Sequence, residues 1–209
     1  MFTKKIYNKI KIPKSLKTKL KKHAVAGGWN SGAAEVKKFK AIAKLQLMEN
    51  QQNKCAYCEL PLLSSEIDHI APKGGDKHPK HVEYTFLPVN LVLSCHDCNS
   101  TFGKGQTDVI KRLGKHYTDS DFSIVHPYLD DPEEFFIIPS CKDGTPGAIP
   151  FVKPNTDKVH KEKARRYIEM FHLNTEAKMN ELAKQRVAEK YSDEVHEFIT
   201  AITSYKSHL

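Results

Sequence analysis

Residue types that bind metals and move protons are concentrated between positions 55 and 99. Cys55 and Cys58 form one C-x-x-C pair and Cys95 and Cys98 a second, with 36 residues between the pairs. Each pair can place two sulfurs on one ion. Four thiolates satisfy the tetrahedral preference of Zn²⁺ and leave no open position, which makes such a site structural rather than catalytic. A redox dithiol is the competing reading. It calls for a single pair opening a helix in a βαβ setting, and that setting is absent from the pattern. The fifth cysteine, Cys141, stands alone among Gly and Pro and reads as a free thiol.

A second group lies between the pairs. Asp68-His69 closes a short apolar-polar run, Asn90 follows His69 by 21 residues, and Asn99 follows Asn90 by nine. Hydrolysis of a phosphodiester needs a base for water, a cation on the scissile phosphate and charge relief for the leaving oxygen. A histidine can be the base, and a divalent metal can supply the other two functions. Mg²⁺ takes hard oxygen ligands and keeps several waters, so few protein ligands suffice. Asp68 and Asn99 offer such oxygens on either side of a histidine left free of the metal.

The elements that must hold these groups follow from periodicity. Val36, Phe39, Ile42, Ala43 and Leu47 recur at helical spacing and predict a helix over 34–52 that delivers the chain to the first cysteine pair. Residues 65–70 and 90–94 predict short strands, and the loop between them is rich in Pro and Gly. The stretch 101–113 reads as polar and becomes helical near Thr107, and Phe135–Ile138 reads as a strand. A helix over 157–172 is expected to bury Val159, Tyr167, Ile168 and Phe171. A last helix, capped by Asn174 or Thr175, carries Leu182, Val187, Tyr191, Val195, Phe198 and Ile202. The class is therefore α+β. The organisation is a basic N-terminal helical arm (1–53), a zinc-braced core (54–130), and a loop/strand segment with C-terminal helices (131–209).

An apolar fraction of 39% with 28% charged residues fits a globular chain rather than a disordered one. No run of about 18 apolar residues suggests a membrane span. No apolar stretch follows the basic start to suggest a secretory signal, so a cytoplasmic protein is expected. The net charge of +8 is uneven: residues 1–54 hold 14 lysines against Glu35 and Glu49, and the remainder is slightly acidic. Such a field attracts phosphate backbone without reading sequence; a solvated face is the plainer explanation. Asp130-Asp131, before Pro132, reads equally as a solvated turn or as a functional pair.

The run Cys55-Ala56-Tyr57-Cys58, Glu66-Ile67-Asp68-His69-Ile70, Asn90-Leu91-Val92-Leu93 and Cys95-His96-Asp97-Cys98-Asn99 resembles the HNH, or ββα-metal (His-Me finger), endonucleases. That resemblance implies two antiparallel strands and a helix around one catalytic Mg²⁺ or Mn²⁺. It implies Asp68 and Asn99 as its ligands, His69 as general base, and Asn90 as the brace that orients His69 through backbone hydrogen bonds. The last position is Asn99 rather than the name-giving His, a variation common in that family. Residues 125–134 are similar to the HNH subunits of Septu- and retron-type anti-phage systems, which act beside an ATPase. The implied function is cleavage of DNA, with RNA left open, and the C-terminal helices would offer a docking face for the ATPase. The alternative is a non-catalytic nucleic-acid-binding module stiffened by zinc, which would need none of Asp68, His69 and Asn99.

Overall fold

The structure, a computed structural model, describes residues 5–75, 77–139, 147, 150–185, 187–188 and 191–192. Two N-terminal helices come first, α1 (Lys14–Leu20) and α2 (Ala34–Asn50). Along α2, Val36, Phe39, Ala43 and Leu47 fall on one face and are completely buried, as the 3.6-residue period requires. The helix stops at Gln52 and Asn53, both with left-handed φ (51° and 56°). The chain turns there into the first cysteine pair. The Gln51 side chain then behaves like a strand neighbour. It accepts the Leu93 N–H at 2.8 Å and donates to the Leu93 carbonyl at 2.9 Å.

Leu93 belongs to β2 (Leu91–Ser94), which pairs antiparallel with β1 (Glu66–His69); Asp68 stands opposite Val92 and His69 opposite Leu91. Cys95 leads from β2 into the one-turn helix α3 (His96–Asn99). Two further antiparallel pairs follow, β3 (Ile110–Arg112) with β4 (Asp121–Phe122) and β5 (Phe136–Ile137) with β6 (Phe151–Val152). Between them lies α4 (Pro132–Phe135), and α5 (Lys158–Met170) comes after β6. The chain is helical again over 176–185, with the Thr175 hydroxyl accepting the Lys178 N–H at 3.4 Å. The architecture is thus mixed α+β with short antiparallel sheets. Its core is continuous from Leu16 and Leu20 of α1 through Phe39, Leu91 and Leu93 to Tyr167 and Phe171. Among the described residues no helix is long and apolar enough to cross a membrane.

Several local expectations change. No helix forms near Thr107, where Gly103 and Gly105 break the chain and β3 follows instead. Pro132 starts a helix with Asp131 as its cap (Glu133 N–H to Oδ1, 3.1 Å), so the strand begins at Phe136. Val159, on the outer side of α5, is 61% exposed, whereas Tyr167, Ile168 and Phe171 are buried as expected. Of the last apolar stripe Leu182 is buried, and Val187 and Tyr191 face solvent. Val195, Phe198, Ile202 and Cys141 lie outside the described residues. Arg165 and Arg166 occupy an exposed helix face.

Candidate metal centre and catalytic cleft

The four sulfurs of Cys55, Cys58, Cys95 and Cys98 lie within 4.8 Å of one another. Cys58 and Cys95 are 3.7 Å apart. A Zn–S bond of about 2.3 Å gives a tetrahedral S···S edge of roughly 3.8 Å, so the arrangement has the size a zinc ion needs. Backbone bonds shape both knuckles: Glu59 N–H to the Cys55 carbonyl at 2.9 Å, and Asn99 N–H to the Cys95 carbonyl at 3.1 Å. Close contact with the other thiols of the cluster, and then burial, push the Cys58 and Cys98 thiols up, which a divalent cation would reverse. Lys178 is buried beside the cluster, 3.5 Å from Asp97 and 3.3 Å from Glu181; the nearby sulfurs raise its pKa against the cost of burial.

Behind the second knuckle lies the other group. Asp68, His69 and Asn99 line one cleft of about 220 Å³, together with Trp29, Ile67, Lys73 and Lys104. Asp68 and His69 come from the end of β1, and Asn99 is the last residue of α3. His69 Nε2 lies 3.0 Å from the Thr85 carbonyl. A carbonyl can only accept, so Nε2 carries the proton and Nδ1 is the basic nitrogen. The Trp29 ring stands edge-on to the imidazole at 4.6 Å. Burial lowers the His69 pKa to about 3, and Lys73, Lys104 and Lys40 add to the effect, so the ring is neutral at neutral pH. Asp68 accepts the Tyr57 hydroxyl at 2.5 Å and pairs with Lys104 Nζ at 3.2 Å. Burial pushes its carboxyl up, while Lys104 and Tyr57 pull it down. Asn99 donates its amide N–H to Glu66 at 2.5 Å. That commits the nitrogen to Glu66. Asp68 and Asn99 thus bring side-chain oxygens to one cleft, with both Asp68 oxygens held by protein partners.

Asn90 is fully buried and lines no wall of the cleft. Its Oδ1 accepts the Ala71 N–H at 2.7 Å, and its Nδ2 donates to the Ala71 and Tyr84 carbonyls at 3.1 Å each. It therefore ties the segment after His69 to the one that presents the Thr85 carbonyl. The tie continues: Tyr117 donates its hydroxyl to Asn90 Oδ1 at 2.8 Å, and His126 Nε2 lies 2.9 Å from that hydroxyl. Because His126 Nδ1 accepts the Tyr128 N–H at 3.1 Å, Nε2 is the protonated nitrogen and the donor to Tyr117. Asp130 holds the His126 N–H and Lys163, both at 2.5 Å, which gives that carboxylate a structural role.

Of the remaining histidines, His96 is exposed and lies 3.3 Å from Glu66, while His81 pairs with Asp108 at 2.9 Å. His78 lines an adjoining cleft of about 600 Å³ with Lys73, Lys77 and Lys80. Sequence reasoning missed Lys104, Tyr57, Trp29, Thr85 and the pair Tyr117–His126. For Lys104 the available signal was its place between Gly103 and Gly105. A Cβ at Gly103 would meet the Asp97 carbonyl oxygen at 2.5 Å, and such backbone approaches mark glycine positions that matter.

The network makes a stability prediction. Burial holds the His126 pKa at about 3, whereas an unfolded histidine titrates near 6.5. Between those values the unfolded chain binds the extra proton, so stability falls as pH drops through that window and is intact above it. From pH 6.5 to 5 the loss should be about 2 kcal/mol. Urea midpoints of the wild type and His126→Gln, measured at pH 7 and pH 5, test it: equal acid sensitivity in the two proteins would dismiss the assignment.

The fold and site together define a mixed α+β protein with a four-cysteine cluster positioned to bind a metal ion such as zinc. No protein-family model matches the chain. It is similar to protein Ea31 of Escherichia phage lambda, 26% identical over 164 residues, an alignment covering 77% of this chain and 51% of the phage protein. The chain thus spans about half the length of that relative.

Proposed function

We propose that the chain is a metal-dependent HNH-type endonuclease that hydrolyses phosphodiester bonds in DNA. The observation that carries this reading is the convergence of a neutral, buried His69 with the oxygens of Asp68 and Asn99 on one cleft. Simple zinc-stiffened binding modules have no use for that trio. The arrangement of β1, β2 and α3 agrees with the ββα core that the resemblance implies, and the Asn90 bonds agree with the bracing role. His69, fixed at Nε2 by Thr85, would take the proton of an attacking water at Nδ1. Asp68 and Asn99 would hold the divalent ion. When bound, that ion supplies polarisation of the phosphate and charge relief for the leaving oxygen.

The effector role in an anti-phage system with an ATPase partner rests on the likeness of residues 125–134 to such subunits. Plasmid cleavage with Mg²⁺ and Mn²⁺, with and without EDTA, tests the enzyme reading. Cutting that is insensitive to the chelator would rule out the metal-dependent mechanism. The non-catalytic alternative has one observation in its favour, that both Asp68 oxygens already carry protein partners. Absence of cutting with DNA binding retained would select it.

The clefts also refine where nucleic acid would lie. The catalytic cleft shares Lys73 and Gln106 with the 600 Å³ cleft. It shares Trp29 and Ile67 with a third cleft, of about 420 Å³, that carries Lys40 and Lys44. Lys14, Lys17, Lys19, Lys21 and Lys22 are exposed and line none of the three. Neutralising Lys73, Lys77 and Lys80 should therefore flatten the salt dependence of DNA binding, by about 0.9 log–log units for each phosphate no longer neutralised. The same change at Lys14, Lys17 and Lys19 should have a smaller effect. A larger slope change from the α1 lysines would move the DNA path to the N-terminal arm.

A further inference from the structure

Lys104 has a side chain with no solvent exposure, in a cleft whose other lysine, Lys73, reaches water. Lysine is almost never buried this far without partners, and here each of its three N–H groups has one. Nζ donates to the His69 carbonyl at 2.9 Å and the Gly105 carbonyl at 3.2 Å, and pairs with Asp68 Oδ1 at 3.2 Å. The backbone is shaped to deliver it. Gly103 passes against the Asp97 and Cys98 carbonyls, where a Cβ would meet the two oxygens at 2.5 and 2.6 Å, and Gly105 has φ +48°. The Lys104 N–H closes on the Cys98 carbonyl at 2.9 Å. The second knuckle therefore positions an ammonium against the carboxylate that the nuclease reading assigns to the divalent ion.

We propose that Lys104 is the internal counter-ion of Asp68 and competes with the divalent cation for it, so that this ammonium sets how tightly the cleft holds its metal. The inference rests on the nuclease reading of the same site. Of the two side chains bonded to Asp68, Tyr57 is a neutral donor and Lys104 supplies the charge. A buried carboxylate needs such a partner, because an unpaired buried charge is strongly destabilising. A second cation on the same carboxylate repels the first, and in a site screened from water that repulsion is large. The carbonyls of His69 and Gly105 are acceptors that Nζ keeps when a metal reaches Asp68. Lys104 therefore stays beside the ion as a fixed positive charge. A role as a plain phosphate-binding lysine does not fit a side chain without exposed surface.

The test is Mn²⁺ binding, followed by electron paramagnetic resonance on the zinc-loaded full chain without nucleic acid. It compares the wild type with Lys104→Met and Lys104→Gln; the glutamine keeps a donor for the His69 or Gly105 carbonyl. Both variants should bind Mn²⁺ at least tenfold more tightly than the wild type. Their melting temperatures should be lower without Mn²⁺ and recover when it is added. Unchanged or weaker Mn²⁺ binding in either folded variant overturns the proposal and leaves the nuclease reading standing. Variants that stay unfolded even with Mn²⁺ also overturn it, since Lys104 would then be scaffold that no cation replaces. If the wild type and both variants all fail to bind Mn²⁺, the metal-dependent reading falls with it.

Discussion

On the proposed nuclease reading, replacing His69 by alanine is expected to lower DNA cleavage by about 10²–10⁴-fold, the usual contribution of a general base, while zinc content and fold persist. The expectation follows from where the ring sits. The partners of the His69 ring among the described residues are the Thr85 carbonyl and the Trp29 ring, and no cysteine is bonded to it. Loss of the imidazole removes the basic Nδ1 without removing a metal ligand. Asp68 keeps Tyr57 and Lys104, and Asn99 keeps Glu66. DNA binding should survive, because the lysines lining the clefts are untouched. Trp29 is the single tryptophan of the chain, so its emission should shift in the variant and report that the cavity formed locally. Zinc by elemental analysis, circular dichroism and a plasmid assay decide the matter together. Cleavage at the wild-type rate would place the base elsewhere, and His96, beside the Glu66 that holds Asn99, is then the next residue to change.

How far the site could be foreseen depended on whether its signal was local. The cysteine pairs were legible because zinc fixes both residue type and spacing, and the structure brings all four together. The helix over α2 was legible because one buried face imposes a period on the sequence, whereas β1, with Asp68 and His69 both buried, shows no such alternation. Asp68, His69 and Asn99 were picked out as chemistry-bearing types, and the fold sets them on one cleft. Tyr57 was hidden although it lies inside the first knuckle, because nothing in C-A-Y-C says that its hydroxyl reaches Asp68. Nothing in the local sequence marks His126, yet it is fully buried and bonded to Tyr117. Its partner is nine residues away across β4, and such pairings exist only after the chain has folded. Val159 erred in the other direction: an apolar residue in a helix was assigned to the core on type alone, and α5 turns it to solvent.

Loss of any one of Cys55, Cys58 or Cys98 should have the largest effect on stability of any single substitution in the chain's core. All three are buried, and the cluster joins the turn after α2 to the junction of β2 and α3. The end of α2 enters through Cys55, and β2 passes into α3 at Cys95. From the opposite side, α5 is held by the Tyr167 hydroxyl donating to the Tyr57 carbonyl at 2.9 Å and by Phe171 stacked on Tyr57 at 4.2 Å. Structural zinc contributes about 10–16 kcal/mol of apparent binding free energy at neutral pH. A domain's whole stability is about 5–15 kcal/mol, so a site that loses its ion is expected to cost the fold. Cys58→Ser and Cys98→Ser should each lose the zinc, the cooperative thermal transition and solubility together, and a strong chelator should do the same to the wild type. Cys95, the one partly exposed member, should tolerate a change best. Cys95→His preserves a four-ligand set that zinc accepts and should retain the ion with a lowered melting temperature. The assignment fails if Cys58→Ser or Cys98→Ser yields soluble protein free of zinc with an unchanged melting temperature, because the cluster would then be ordinary buried thiols.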